Sequence, residues 1–318
     1  MNTSGEVGGR DLPLWKQILL QLLTLFIAAE VMFPLMYVIT LSFSSKTTRP
    51  SSLEIFPKEL SFVAYQQVLD RPTANPVTFL ELLQNSFTLS IGVGLISLLV
   101  AVTAAYAFSR FKFKMRQVLM ILVFVPLLMP AIGLATPLYL LLNSFRVADC
   151  GNGVIALSPF MACDVGLGKV LFNLRDSLWG VGVAMIAGAL PFAVWNLKGY
   201  LDTIPKELEE AAMIDGADAN QIFWQIVIPL AIPQLAVTFF LGFIGHWQEF
   251  AMPWLFLSQP GDYTLAMTLY NMTGQYAGSI PWNRFAAMAI IVAAPVAVIY
   301  IALQKQIVGG LTAGGVKG

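Results

Sequence analysis

Side chains able to do chemistry are scarce in this sequence. His246 is the only histidine, which excludes a multi-histidine metal site or a chain of histidine proton relays. It opens the run His246-Trp247-Gln248-Glu249. Aromatic faces beside hydrogen-bonding groups suit a solute with apolar ring faces and hydroxyl edges. Two readings fit this run, as they fit Glu30 and Asn196 elsewhere. Ionisable and polar groups at membrane depth either line a solute path or bond across to neighbouring helices. Cys150 and Cys163 are the only cysteines, too few for a zinc site. The stretch Gly166-Leu167-Gly168-Lys169-Val170 lacks the spacing and the Ser/Thr of a phosphate-binding loop. The residues therefore predict no catalytic site, no metal and no cofactor bound by this chain.

The elements that position these groups follow from composition. Of 318 residues, 57% are hydrophobic and only 11% charged, where soluble domains carry about a quarter charged residues. The excess apolar surface must face a lipid bilayer. Eighteen basic residues balance 18 acidic ones, so nothing points to nucleic acid. Six stretches are long and apolar enough to span: 18–43, 86–108, 118–142, 178–199, 229–257 and 285–307. Strand-period alternation is absent, which disfavours a membrane barrel. The first stretch is too long for a signal-peptide core and contains Glu30 and Pro34, so it reads as a retained helix.

Orientation rests on the short loop holding Arg110, Lys112, Lys114 and Arg116, because positive residues in short loops stay cytoplasmic. With six spans, the segment 1–17, the loop 200–228 and the tail 308–318 are then cytoplasmic, around a membrane domain of 18–307. The outer loops are 44–85, 144–177 and 258–284. Cys150 and Cys163 share the second of these; they either pair in an oxidising exterior or remain free thiols. Gly92/Gly94 and Gly242/Gly245 read as close-packing positions, and Pro126, Pro130 and Pro137 as bends in the third span.

The loop 200–228 stands apart. Thr203 and Pro205 read as a helix start, and Glu207, Glu209 and Glu210 favour its positive end. Leu208, Ala211, Ala212 and Asp215 recur on one side, and Gly216 supplies a left-handed stop. A second short helix, 218–227, leads through Pro229 into the fifth span. This predicts a helix–turn–helix with two alanines exposed for close approach, with Glu210 anchoring or orienting it. A docking helix for another protein and an amphipathic helix on the headgroups fit equally well.

Glu210-Ala211-Ala212, Gly216 and the closing Ile228-Pro229 resemble the signature loop of binding-protein-dependent ABC importer permeases. The resemblance runs from about Pro34 to Gly318. Leu190-Pro191-Phe192, Trp195, Lys198-Gly199-Tyr200 and Tyr263-Thr264-Leu265-Ala266 are similar to the carbohydrate-type members. The ending Gly310 to Gly318 resembles the tail of the smaller permease of maltose transporters. The resemblance implies an all-α integral membrane fold of six transmembrane helices with a cytoplasmic coupling loop, in a bacterial or archaeal inner membrane. It makes Glu210, Ala211, Ala212, Asp215, Gly216 and Ala217 the part that meets an ATPase, and Gly314, Gly315 and Lys317 a tail reaching between ATPases.

The implied partners are a second permease, two ATP-binding subunits holding ATP and magnesium, and an extracytoplasmic sugar-binding protein. The implied cargo is a sugar of the maltose/maltodextrin type. A non-sugar solute carried by the same machinery, or a secondary transporter, are the alternatives. Two features depart from the pattern. Trp247-Gln248-Glu249-Phe250 stands where Trp-Asn-Glu-Phe is common, and the 144–177 loop is long.

Overall fold

The computed structural model describes residues 13–48, 60–129, 131–149, 155–158, 169–274 and 280–315. Apolar helices dominate. Helix α1 spans Leu14–Ser42, α2 Val63–Asp70, α3 Phe79–Arg110, α4 Arg116–Phe124 and α5 Ala131–Ser144. After a small sheet come α6 Leu178–Leu201, α7 Glu207–Ile214, α8 Ala219–Ile222, α9 Ile228–Gln248, α10 Ala251–Phe256, α11 Leu265–Gly274 and α12 Trp282–Gly315. Five helices are long and apolar enough to span a membrane. A sixth span exists if the bent pair Arg116–Leu128 and Gly133–Ser144, at 104° to each other, counts as one.

Local sequence explains the boundaries. Thr78 and Glu81 form a reciprocal capping box at the start of α3, with the Thr78 N–H donating to Glu81 Oε2 at 2.7 Å. Ser177 caps α6 by accepting from the Gly180 N–H at 3.2 Å. Gly180 is required there, because a Cβ would run into the Leu174 carbonyl. The third span breaks where Pro126 lies in a 3-10 turn, Val125–Leu128. Pro130 lies outside the described residues.

Two boundaries differ from the sequence reading. The predicted helix 218–227 is continuous with the fifth span, and together they run Ala219–Gln248. A π turn, Phe223–Val227, joins them. It lies where Pro229 has no N–H for the preceding turn, and a widened turn absorbs that loss. The fifth span also ends at Gln248 rather than at 257. Glu249 leaves the helix with extended ψ, and its Oε1 accepts from the N–H groups of Ala251 and Met252, starting α10.

The long loop between α5 and α6 holds three short antiparallel strands, β1 Arg146–Asp149, β2 Ile155–Ser158 and β3 Lys169–Asn173, in the order β2-β1-β3. Arg146 lies opposite Ser158 on one side and Asn173 on the other. This hairpin-rich insert was not foreseen. Cys150 and Cys163 lie outside the described residues.

Helix α3 is the axis of the bundle. Its buried face repeats every fourth residue through Leu89, Val93, Ser97, Ala101, Ala105 and Ser109. This is an i±4 ridge of mostly small side chains, which lets α6 and α9 approach closely. At one end Ala101, Ala105, Leu197, Leu201, Ile222 and Val227 form a core. Toward the other end, α3 packs with α6 and α10 around Val93, Val181 and Phe256, and with α2, α9, α11 and α12 around Leu82, Phe243, Leu265 and Met288. Helix α1 is almost wholly exposed along its apolar length, as a lipid-facing helix must be.

Candidate functional site

The turn after α6 sets the stage for α7. Thr203 does not cap α7; its Oγ1 donates back to the Tyr200 carbonyl at 2.7 Å. Pro205 precedes the helix, whose N-cap, Lys206, makes no side-chain cap bond. What fixes α7 is Glu209, which is only 5% exposed. Its Oε1 lies 2.5 Å from Arg110 Nε, and its Oε2 accepts from the Tyr106 hydroxyl at 3.0 Å. Arg110 also donates to the Ile204 carbonyl at 3.0 Å and to Ser109 Oγ at 3.1 Å. The Ser109 hydroxyl in turn donates to Asp202 Oδ1 at 2.6 Å, and Lys198 Nζ lies 2.5 Å from Asp202 Oδ2.

One polar latch thus joins the end of α3, the end of α6 and the first turns of α7. Burial pushes the Asp202 carboxyl up, but hydrogen bonds from Lys198 and Ser109 outweigh it, so its pKa is lowered overall. A lowered carboxylate pKa stabilises the fold above the unfolded-state value and loses that contribution as pH falls through the folded one. The contribution of Asp202 to the latch is therefore fully present at neutral pH.

The far end of α7 closes as a Schellman motif. Gly216 takes φ +89°. The Ala217 N–H reaches the Ala212 carbonyl at 2.9 Å and the Gly216 N–H the Met213 carbonyl at 3.1 Å. Ala212 and Ala217 are half-buried and pack against the core cluster beneath. Glu210, Ala211, Asp215 and Gly216 are exposed together, beside Leu208, Met213 and Ile214, the last 87% exposed. Three large apolar side chains in the open around small residues form an exposed apolar ridge, the kind of surface that partners cover.

Two expectations change here. Anchoring belongs to the buried Glu209 and not to the exposed Glu210. Of the two alanines expected on the outer face, only Ala211 lies there.

The four residues of the His246 run separate. His246 lines a cavity of about 180 Å³ between α3, α6 and α9, together with Ser97, Gly94, Gly242 and Gly245. Its Nε2 and the Ser97 Oγ are buried without hydrogen-bond partners among the described residues. Gly242 and Gly245 open this cavity rather than pack closely, since a Cβ on either would meet nothing within 4 Å. Gly94 does pack, against the Phe239 ring. Trp247 is core: it stacks on Phe243, and its indole N–H donates to the Val292 carbonyl at 3.0 Å. Gln248 lines a separate groove of about 480 Å³ against α12. Glu249 caps α10, as described. Asn196 bonds across to α9, accepting from Gln234 at 2.9 Å and donating to Thr238 at 3.2 Å.

Helix α12 runs through Gly314 and Gly315, and Lys317 lies outside the described residues. Arg110, Tyr106, Asp202 and Lys198 went unassigned in the sequence reading. Arg110 carried only an orientation signal, and Glu209 only a helix-dipole one.

The fold and this site define a multi-pass α-helical membrane component with a short, partly exposed helix latched to one end of its bundle. The chain belongs to the family described as binding-protein-dependent transport system inner membrane component, whose profile matches residues 95–311. It is thus an ABC importer permease, and its homologues are non-catalytic membrane subunits.

Among curated proteins it is 34% identical over 297 residues to the galactooligosaccharides transport system permease protein GanQ of Bacillus subtilis (strain 168), covering 93% of this chain and 94% of that one. It is 32% identical over 307 residues to the maltose/maltodextrin transport system permease protein MalG of Escherichia coli (strain K12), again covering 93% and 94%. Among solved structures it matches a chain of a bacterial ABC transporter involved in the import of the acidic polysaccharide alginate. The TM-score is 0.71 at 21% identity, over 93% of this chain and 99% of that one. That likeness carries the fold alone.

Proposed function

We propose that this chain is one of two permease subunits of an ATP-driven oligosaccharide importer, with α7 as its coupling helix. The observation that carries the reading is the latch. Glu209, buried against Arg110 and Tyr106, ties α7 to the ends of α3 and α6, while Leu208, Met213 and Ile214 face outward. A partner that grips the outward face moves two spans through that one ion pair.

In this reading the latch lies in the cytoplasm, beside the basic loop of Lys112, Lys114 and Arg116. Two ATP-binding subunits, holding ATP and magnesium, seat α7 of this chain and its counterpart on the second permease. The tail with Gly314, Gly315 and Lys317 reaches toward them. ATP binding draws the ATPases together, the coupling helices follow, and the bundle turns outward. A sugar-loaded extracytoplasmic binding protein then empties into the cavity, and hydrolysis resets the cycle. Of the His246 run, His246 and Gln248 remain candidates for the path, because they line open volume. Trp247 borders the same groove as Gln248 but is buried in the core, and Glu249 caps α10.

The sugar class rests on the two relatives, one named for galactooligosaccharides and one for maltose and maltodextrin. A maltodextrin-like α-glucoside is the first candidate and a galactooligosaccharide the second. The test is ATP hydrolysis by the reconstituted complex, with binding proteins presented across a panel of both sugar types. Stimulation by one class, only with its loaded binding protein, is the expected result. Stimulation by no sugar would remove the carbohydrate reading, and failure of any ATPase to co-purify would remove the importer assembly.

A further inference from the structure

A recess lies at the end of the bundle away from α7. It measures about 870 Å³ and is walled by the chain after α2, by α10 and α11, and by the start of α12. Two arginines face it, Arg71 and Arg284, with Asn75 and Asn271 beside them, and among the described residues no carboxylate lines it. Among the described residues neither arginine has an ion-pair partner. The Arg284 Nε is buried with no hydrogen-bond partner among the described residues.

A buried donor left without an acceptor costs the fold its full desolvation penalty. Guanidinium groups only donate, in a fork that matches a carboxylate. The other wall is rigid and aromatic: Tyr270 stacks on Phe250 with centroids 4.3 Å apart and meets Trp254 edge-on. Arginine, tryptophan and tyrosine around one concavity is the composition of a protein-binding hot spot.

We infer that this recess receives carboxylate side chains of the extracytoplasmic binding protein, with Arg71 and Arg284 as their anchors. The inference rests on the importer reading, which puts a soluble binding protein at this end. The carboxylates come from the protein rather than from the cargo, because maltodextrins and galactooligosaccharides, the sugars of the named relatives, carry no acid group. Arg284 sits on the first turn of α12, whose partner α9 carries His246 and Gln248. A docked carboxylate therefore pulls directly on a helix that borders the proposed path.

The experiment uses the complete complex in nanodiscs, immobilised, and the loaded binding protein that stimulates its ATP hydrolysis most strongly. Arg71→Glu and Arg284→Glu each weaken the measured Kd by about tenfold or more, as loss of an interfacial charge pair does. Arg71→Lys and Arg284→Lys stay within about threefold, since the charge is kept while the fork is lost. Lys46→Glu, at the same end but outside the recess, leaves the Kd near the wild-type value. Raising salt weakens the wild type more steeply than the arginine variants.

Equal weakening by Lys46→Glu would replace the recess with a diffuse surface field and overturn the inference. So would an unchanged Kd in Arg71→Glu, an exposed position with little folding risk. Loss of the second permease from either variant would make the recess an intersubunit contact instead. Stimulation by acidic oligosaccharides without any binding protein would make the cargo the source of the carboxylate. If no binding protein stimulates the wild-type complex, the importer reading itself fails, a result separable from all of these.

Discussion

Gly216 is the residue where backbone conformation and function meet. Its φ of +89° places it in the left-handed region, and a Cβ there would meet nothing within 4 Å. Any effect of substitution is therefore conformational and not steric. A β-branched side chain pays roughly 1–3 kcal/mol for such a φ, which opens the Schellman closure and lets the end of α7 swing. Gly216→Val should leave the complex assembled but lower the sugar transported per ATP hydrolysed, because the exposed apolar ridge no longer holds one position. Gly216→Asn, with its tolerance of left-handed backbone, should keep most of the coupling. Transport and hydrolysis measured together in proteoliposomes decide it; normal stoichiometry in the valine variant would sink the assignment of α7.

At the scale of elements, the latch makes α7 a rigid extension of α3 and α6. Arg110 and Glu209 each expose only 7% of their side chains, and removing one member of a buried pair strands the other. The expected cost is about 3–5 kcal/mol. Glu209→Ala should detach α7 and cut ATPase co-purification, whereas Glu210→Ala, at an exposed position, should retain the complex. Pull-down of the ATPase from the two variants checks this, and equal yields from both would refute the latch.

The same residues mark what a sequence can disclose. The helix–turn–helix was legible, because Pro205, three glutamates and Gly216 are local signals acting over a few residues. The latch was not: Arg110 and Glu209 lie 99 positions apart, and only packing of α3 against α6 brings them together. The end of the fifth span was misplaced for a related reason. Hydropathy continues through Phe250 to Leu257, and it cannot register that one carboxylate, Glu249, turns back to cap the next helix. Of the His246 run, spacing put four residues on one stretch, but the helix surface sends Trp247 into the core and His246 into a cavity.

At the scale of the whole molecule, the bent third span decides the topology, and the neighbouring helices constrain it. Helix α3 ends beside α7, since Arg110 touches Glu209. Helix α6 runs parallel to α3, with Gly182 against Leu89 and Val93 at its start and Leu201 in the core beneath α7 at its end. The chain between Phe111 and Asp176 must therefore travel from the α7 end to the opposite end, whatever the 104° bend between its two apolar halves. The outer helices agree. Asn283 at the start of α12 donates to the Ser44 carbonyl just after α1. Trp247 meets Val292 while Phe240 meets Tyr300, so α12 runs antiparallel to α9 and back toward the α7 end. Both α1 and α12 thus have their outer termini at the α7 end, the arrangement six crossings require. Reporter fusions at the N-terminus, after Lys206 and at the C-terminus should all report the cytoplasm, set there by the four basic residues from Arg110 to Arg116. A C-terminal reporter active only outside would mean that 116–144 re-enters without crossing, and the parallel packing of α3 with α6 would have to be abandoned with it.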